Sequence, residues 1–232
     1  MFFQGNKHHF PLLFLHGFLG CKEDWEGVIA LLQDRFFCIA IDLPDYGEGS
    51  LVDILSLFNL PLCGLIGYSM GGRIALMERA KQSEKFPKVV AFSAHPGLSS
   101  LAEKQERYAH DLLWAEMLKT EPYEIFLEKW YAQELFASLK ERTDLFEQML
   151  KRRRKQNPQL LAKMLLHYSL AHQSYLGKMH AVHFVCGERD LKYSMVYTGL
   201  SFEKIAGCGH AVLLENPAAC AASIANQFRE YL

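Results

Sequence analysis

The chemistry of this chain begins at a serine set between glycines, with an arginine one helical turn later. Gly67-Tyr68-Ser69-Met70-Gly71 fits the pattern G-x-S-x-G, in which a serine is held at the tip of a tight strand-to-helix turn. The apolar run "LCGLIGY" leads into it, and "MGGRIALMERAKQ" follows with helical rhythm. A serine hydroxyl is a weak nucleophile or base unless a histidine takes its proton and an acid orients that histidine. His210, in "GCGHAVLLENP", and Asp190, closing "AVHFVCGERD", follow in the order serine, acid, histidine. Glu188 and Glu215 are the competing acids, and both read more simply as solvated or helix-end charges. His167, His172 and His180 fall in or beside a helical segment, and His183 alternates into a strand as a core or edge histidine. A developing oxyanion needs two backbone N–H donors. Met70, next after the serine, supplies one, and Phe18, next after "LHG", supplies the other, with His16 a structural hydrogen-bonder under that loop.

These residues must be carried by elements, and the first half of the chain alternates between two patterns. "PLLFLHG", "FFCIAID", "LCGLIGY" and "KVVAFSA" are short apolar runs of the kind that form strands buried on both faces. Between them lie "EDWEGVIALLQD", expected as a helix over 23–34 with Asp24 as its N-cap, the turn-rich "LPDYGEGS", the short helical "DILSLFN" and the helix after Ser69. Strands alternating with amphipathic helices predict an α/β fold with a mostly parallel sheet, whose strand carboxyl ends line up along one edge. From about Gly97 to Leu176 the strand rhythm stops, and Pro122 and Pro158 divide a charged, aromatic stretch into three or four helices. "AVHFVCGERD" and "LSFEKIAGCGH" then restore strands, and 216–232 reads as a closing helix with Asn216 as cap and Pro217 at its first position. The expected organisation is a core of 1–96 and 177–232, with 97–176 inserted as a helical lid before the strand that carries the acid.

Composition narrows the functional classes. The chain has 232 residues, 25 basic and 26 acidic side chains and a formal charge of −1, with half of its residues hydrophobic. That balance gives no reason to expect nucleic acid or an anionic membrane as partner, the basic run "KRRRK" at 151–155 being a local exception. The six cysteines form no CxxC pair and read as buried thiols in a reducing compartment, Cys208 beside His210 included. "MFFQGNKHHF" lacks the layout of a signal peptide, and no apolar run approaches the ~20 residues of a membrane span. A cytoplasmic enzyme, a monomer or weak homo-oligomer, is the expectation. Neither a metal-ligand cluster nor a dinucleotide glycine fingerprint is found, so no metal and no organic cofactor is expected.

The chain resembles the α/β-hydrolase superfamily and, more narrowly, the 2-succinyl-6-hydroxy-2,4-cyclohexadiene-1-carboxylate synthases of menaquinone biosynthesis. The resemblance runs from Leu12 to Pro217 and rests on "FLHGFLG…DW", "IDLPDYGEGS", "GYSMGGRIAL", "HPGL", "EKWYAQELFASL", "CGERDLK" and "GCGH…ENP". It implies an α/β-hydrolase fold that performs a lyase reaction. The family's substrate is an enolpyruvyl cyclohexene with three carboxylates, from which a proton is removed and pyruvate eliminated, the serine–histidine pair supplying the base. The resemblance gives Arg73, Arg107 in "EKQERYAHDLLW" and Arg153 in "KRRRK" as carboxylate-binding positions, with Arg152 and Arg154 as the neighbouring registers of the last. Arginine suits the task because its paired N–H donors match carboxylate geometry. Arg107 also fits the solvated face of a charged helix. Tyr68, Trp130 and Tyr131 match positions that line the site, and Trp130 and Tyr131 fit cap core equally well. The chain departs from the pattern in carrying Ala211 where related enzymes often have a polar residue, and in a short segment before the first clear strand, so that the usual opening hairpin is expected to be reduced or missing. The alternative on the same framework is a serine carboxylesterase or thioesterase acting on a small acyl ester, which has no need of three cations around its serine.

Overall fold

The structure is a computed structural model that describes residues 1–43 and 51–232. The expected turn "LPDYGEGS", with the matching part of "IDLPDYGEGS", lies outside the described residues from Pro44 to Ser50.

Among the described residues, seven strands form one sheet: β1 (Phe2–Gln4), β2 (Pro11–Leu15), β3 (Phe37–Ile41), β4 (Gly64–Tyr68), β5 (Val89–Phe92), β6 (Val182–Gly187) and β7 (Phe202–Ile205). Their spatial order is β1-β3-β2-β4-β5-β6-β7. Every pairing is parallel except that of β1, a three-residue antiparallel edge on β3 that stands where an opening hairpin was expected to be reduced. The helices are α1 (Glu26–Ile29), α2 (Leu51–Leu57), α3 (Met70–Lys81), α4 (Leu101–Thr120), α5 (Tyr123–Tyr131), α6 (Ala137–Lys140), α7 (Thr143–Arg153), α8 (Pro158–His167), α9 (Leu191–Val196), α10 (Val212–Glu215) and α11 (Pro217–Gln227).

The period-two geometry of a strand divides the core. In β2, Leu13 and Leu15 join one buried apolar layer, and Leu12 and Phe14 the other. The first layer continues into Ala115, Leu118, Phe126 and Leu161 of the helical stretch between β5 and β6. The second packs on Val28 and Ile29 of α1 and on Cys220, Ile224 and Phe228 at the end of the chain. The order of the strands puts the carboxyl ends of β2, β4, β5 and β6 side by side.

Two local expectations change. The helix expected over 23–34 is a 3-10 turn at Lys22–Trp25 followed by the single turn of α1. Asp24 is not its N-cap: it stands inside the 3-10 turn, where its Oδ2 accepts the N–H of the actual N-cap, Cys21, at 3.3 Å, and its buried carboxylate also meets partners far away in sequence, described below. Gly27, which weakens a helix interior, faces Pro217 so closely that a Cβ there would lie 3.3 Å from the proline ring. The stretch 97–176 contains five α-helices, more than the two prolines mark, because the chain also breaks between Ala132 and Phe136 and at Glu141–Arg142. Its longest member, α4, begins with a capping box in which Ser100 and Glu103 each receive the other's backbone N–H. The two ends of the stretch meet in a parallel bridge between Leu98 and Ser174, beside Gly97 at φ 108°.

Candidate active site

At the end of β4 the chain must reverse into α3 within one residue. Ser69 is that residue, and its φ of 51° is the left-handed conformation that a side chain normally avoids. The turn closes because its neighbours lack side chains. A Cβ on Gly67 would stand 2.5 Å from the Cα of Gly72, and one on Gly71 would strike the carbonyl oxygens of Leu15 and His16. The Ser69 N–H donates to Phe92 O at 2.8 Å, so β5 holds the strained backbone in place.

His210 brings its Nε2 to 3.4 Å from Ser69 Oγ and its Nδ1 to 2.8 Å from Asp190 Oδ2. Both His210 and Asp190 are buried. With Nδ1–H donated to the carboxylate, Nε2 is left as the acceptor facing the serine. Asp190 is also the N-cap of α9, its Oδ1 accepting the Tyr193 N–H at 3.1 Å. One oxygen thus anchors a helix while the other orients the base. Aromatic rings enclose the imidazole: Tyr193 at 4.9 Å, Tyr68 at 5.4 Å and Phe136 at 5.8 Å between centroids. Among the described residues, neither the Phe18 nor the Met70 N–H donates to a main-chain carbonyl. The loop carrying Phe18 is fixed from below by His16, whose Nδ1 pairs with Gly17 O at 2.8 Å while its Nε2 accepts the Leu43 N–H at 2.9 Å. Burial keeps that imidazole's pKa below its ordinary value.

The arginines fall into two environments. Arg73, on the first turn of α3, is 5% exposed, and its Nη1 donates to Tyr168 O at 2.7 Å. It has no carboxylate ion pair among the described residues. Burial, and next the charge of Arg107, pull its pKa down to about 10. Arg107 is one-third exposed but not a free solvated charge: Asp111, buried and itself held by Ser169 Oγ at 2.8 Å, grips its Nε at 2.8 Å. Lys192, on the first turn of α9, is pushed below its usual value by burial and by Arg107. His95, of "HPGL", lies in the same field: burial first, then Arg73, Arg107 and Lys192, bring it to about 4. It is therefore neutral, with its Nδ1 accepting the Gly97 N–H at 3.1 Å.

Arg153 is 4% exposed and points inward, but it is already paired. Its two η nitrogens meet the two oxygens of Asp24 at 3.1 and 2.5 Å, and its Nε lies 3.3 Å from the Tyr131 hydroxyl. Burial opposes its charge, and Asp24 more than compensates, so its pKa rises. Arg152 reaches the same carboxylate at 3.1 Å, whereas Arg154 turns out toward Glu147. Arg153, Tyr131, Trp130, Phe18, Tyr68 and Ser69 line a cavity of about 40 Å³. Trp130 also stacks into the helical stretch, against Phe126 and Trp114, so it packs the interior there and borders the serine at once.

Four residues with a part in this arrangement escaped the sequence reading as site residues. Asp111 and Asp24 are singled out only by partners that folding brings to them, and the i, i+4 spacing of Arg107 and Asp111 was the one available sign. Tyr193 stands at the third position of a helix capped by the acid. Glu215, read as solvated or helix-end, is buried: it accepts the Gly209 N–H at 3.0 Å and the Ser138 hydroxyl at 2.5 Å. His183 pairs with Glu203 of β7 at 2.8 Å, a strand-edge contact. Cys208 is buried, which raises its thiol pKa.

A model of the family described as "Alpha/beta hydrolase family" matches residues 12–223. A 2-succinyl-6-hydroxy-2,4-cyclohexadiene-1-carboxylate synthase from Escherichia coli O7:K1 (strain IAI39 / ExPEC) is 33% identical over 247 aligned residues, covering 96% of this chain and 97% of that protein. The enzyme of the same name from Enterobacter sp. (strain 638) is 33% identical, covering 97% of this chain and 95% of its own. Among solved structures, MenH from S. aureus matches with a TM-score of 0.89 and 26% identity over 99% of this chain and 97% of that one. A malate-bound thermophilic esterase from Thermogutta terrifontis shares the fold at a TM-score of 0.78 and 19% identity, over 99% of this chain and 92% of that one.

Proposed function

This chain belongs to the alpha/beta hydrolase family and, within it, to the 2-succinyl-6-hydroxy-2,4-cyclohexadiene-1-carboxylate synthases, and from that premise we propose how its residues eliminate pyruvate in menaquinone biosynthesis. The substrate is 2-succinyl-5-enolpyruvyl-6-hydroxy-3-cyclohexene-1-carboxylate. Its C2–H is acidic because it adjoins the succinyl ketone and the ring alkene. Ser69 takes that proton as His210 Nε2 takes the serine's own, and Asp190 stabilises the resulting imidazolium. The electron pair becomes C2=C3, the former C3=C4 pair becomes C4=C5, and the C5–O bond breaks. The enolpyruvate leaves with that oxygen and becomes pyruvate on gaining a proton at its methylene. No electron enters or leaves the system, so the reaction needs no redox cofactor.

The amides of Phe18 and Met70 receive the negative charge that moves onto the ketone oxygen as C2 is deprotonated. Arg73 and Arg107 hold substrate carboxylates, and Arg153, tied to Asp24, presents what remains of its donor capacity on the side of Tyr131. Tyr68, Trp130 and Tyr131 line the site, and the helical segment 97–176 serves as its cap.

The observation that carries the reading is Arg73: a buried guanidinium with no carboxylate ion pair among the described residues, set beside a second arginine near the serine. A buried guanidinium that lacks a carboxylate and feels a second cation is unfavourable unless an anion is to join it. A neutral ester gives no such return. Assaying pyruvate release against p-nitrophenyl ester cleavage separates the two chemistries. Arg73→Ala is expected to lower kcat/KM for pyruvate release by a factor of about 30 to 1000, from the ~2–4 kcal/mol lost when a buried charge pair is truncated. It should leave residual ester cleavage within a few-fold, and an unharmed lyase would refute the anion grip.

A further inference from the structure

The basic run at 151–155 carries more positive charge than one carboxylate contact needs. Arg154 turns outward, Arg153 lines the cavity beside Ser69, and Arg152 lines a separate cavity of about 570 Å³. Arg152 and Arg153 nonetheless meet at one carboxylate. Arg153 Nη1 and Nη2 lie 3.1 and 2.5 Å from Oδ1 and Oδ2 of Asp24, and Arg152 Nη2 forms an ion pair with the same Oδ1 at 3.1 Å. The Nε of Arg152 is buried and has no hydrogen-bond partner among the described residues. In a guanidinium, Nε–H and one Nη–H make an edge that fits a carboxylate through two bonds. Arg152 thus stands against Asp24 by one corner, and the rest of that edge is idle where an unpaired donor is costly.

We propose that Arg152 is a positioning residue for the substrate: it shares Asp24 so that the cluster stays net positive, and it takes Asp24 over when a substrate carboxylate reaches Arg153. The inference rests on the reading of Arg153 as a carboxylate-binding residue, and charge counting leads to it. With Arg153 alone, a bound substrate would set two carboxylates on one buried guanidinium, and like charges drawn together in a dry site oppose binding. With Arg152 present, two cations face two anions. Asp24 and Arg153 are both 4% exposed, so their charges are poorly screened, and a further charge 3.1 Å from the carboxylate decides the sign of the cluster. Free of substrate, two guanidiniums and one carboxylate leave a net positive charge, which draws an anion. The exchange asks for little movement. Arg152 turns until Nε joins Nη2 on Asp24, and its idle donor is satisfied by the same step. Arg153 stays on the wall of the serine cavity through its Nε, 3.3 Å from the Tyr131 hydroxyl, while its η nitrogens change partner. Lys22, on the same cavity as Arg152, is occupied by Glu23 and Asp42 at 3.0 and 2.6 Å, so Arg152 is the cation placed for the task.

Arg152→Gln removes the charge and keeps a polar side chain. KM for pyruvate release should rise about five-fold or more while kcat stays within about two-fold, because attraction for the substrate is lost and nothing that touches Ser69 or His210 changes. Arg152→Lys keeps the charge and should recover most of that loss. Arg152→Gln combined with Asp24→Asn should recover KM as well, since one cation and one anion leave together and Arg153 is left charged and unopposed. A merely structural contact predicts the reverse, a double variant worse than either single one. The same variants are titrated calorimetrically with tricarballylate, an unreactive tricarboxylate, with Arg153→Ala as the control that locates binding, and its Kd should rise and recover in parallel with KM. Arg152→Gln with wild-type KM and Kd overturns the proposal. So does a loss confined to kcat, or a double variant that binds as weakly as Arg152→Gln. If the double variant does not fold, the contrast between Arg152→Gln and Arg152→Lys decides. If the wild-type protein releases no pyruvate, the proposed function fails, and the tricarballylate affinities still decide the role of Arg152. A wild-type protein that neither releases pyruvate nor binds tricarballylate overturns both.

Discussion

Asp24 shows how much one side chain can be asked to hold. It faces Arg153 through both oxygens and Arg152 through one, in a buried setting. Burial alone would raise its pKa, but Arg153 and then Arg152 hold it below the usual carboxylate value. A carboxylate depressed in the folded state stabilises the fold fully above its unfolded pKa, near ~4. That contribution disappears as pH falls through the lower, folded value. Asp24→Asn is therefore expected to cost about 3–5 kcal/mol at pH 7, the price of leaving a buried charge uncompensated. Denaturant titrations should show the gap from wild type beginning to narrow below about pH 4, where the unfolded carboxylate takes up a proton, and closing as pH falls through the lower value of the folded state. A gap independent of pH would mean that packing, not charge, is what Asp24 supplies. None of this was visible along the chain, where 129 residues separate Asp24 from Arg153. A carboxylate near the start of an amphipathic run looks like a cap until its distant partner is in place.

Elements were legible in proportion to how local their causes are. Ser69, Asp190 and His210, which the structure brings together, could be picked out because each sits where an apolar strand runs into glycine-rich or acidic punctuation, a pattern written within a dozen residues. The closing helix begins as read, with Asn216 Oδ1 accepting the Ala219 N–H at 3.0 Å and Pro217 at the first position, but it ends at Gln227 rather than running to 232, and a 3-10 turn at Arg229–Tyr231 follows. The segment 23–34 failed because helical spacing of Trp25, Val28, Ile29 and Leu32 also suits a chain that packs two short turns into one apolar layer. The turn at Ser69 makes the sharpest prediction at this scale. Gly71→Ala drives a methyl group into the carbonyl oxygens that end β2. Relief requires parting α3 from the sheet, an overpacking cost of roughly 1–3 kcal/mol or more. Its melting temperature should fall and turnover vanish, whereas an active, stable Gly71→Ala enzyme would show that the turn has slack.

Across the whole molecule, the helical stretch between β5 and β6 is bonded to the loops that bear Phe18, Asp190 and His210. Gln156 Nε2 donates to Leu19 O and Gly20 O, both at 2.8 Å, in the loop of Phe18. Glu141 pairs with Arg189, next to Asp190, at 2.6 and 2.7 Å. Arg142 donates to Gly207 O at 3.1 Å and to Glu215 O, and Ser138 bonds the Glu215 carboxylate that also receives the Gly209 N–H beside His210. Arg142→Ala is expected to lower kcat about ten-fold, as hydrogen bonds from a charged donor worth ~1.5–3 kcal/mol are lost, while the affinity for carboxylates at Arg73 and Arg107 stays near normal. An unchanged kcat would mean that the histidine loop keeps its shape without the contact.

Those clasps have an economy of their own. Were the helices to swing away, the loops of Phe18, Asp190 and His210 would loosen together, so an ajar molecule would also be a disarmed one. An alcohol sharpened by a histidine is a hazard among the esters of a living cell, and a cap clasped in this way would leave it whetted only while the door is shut.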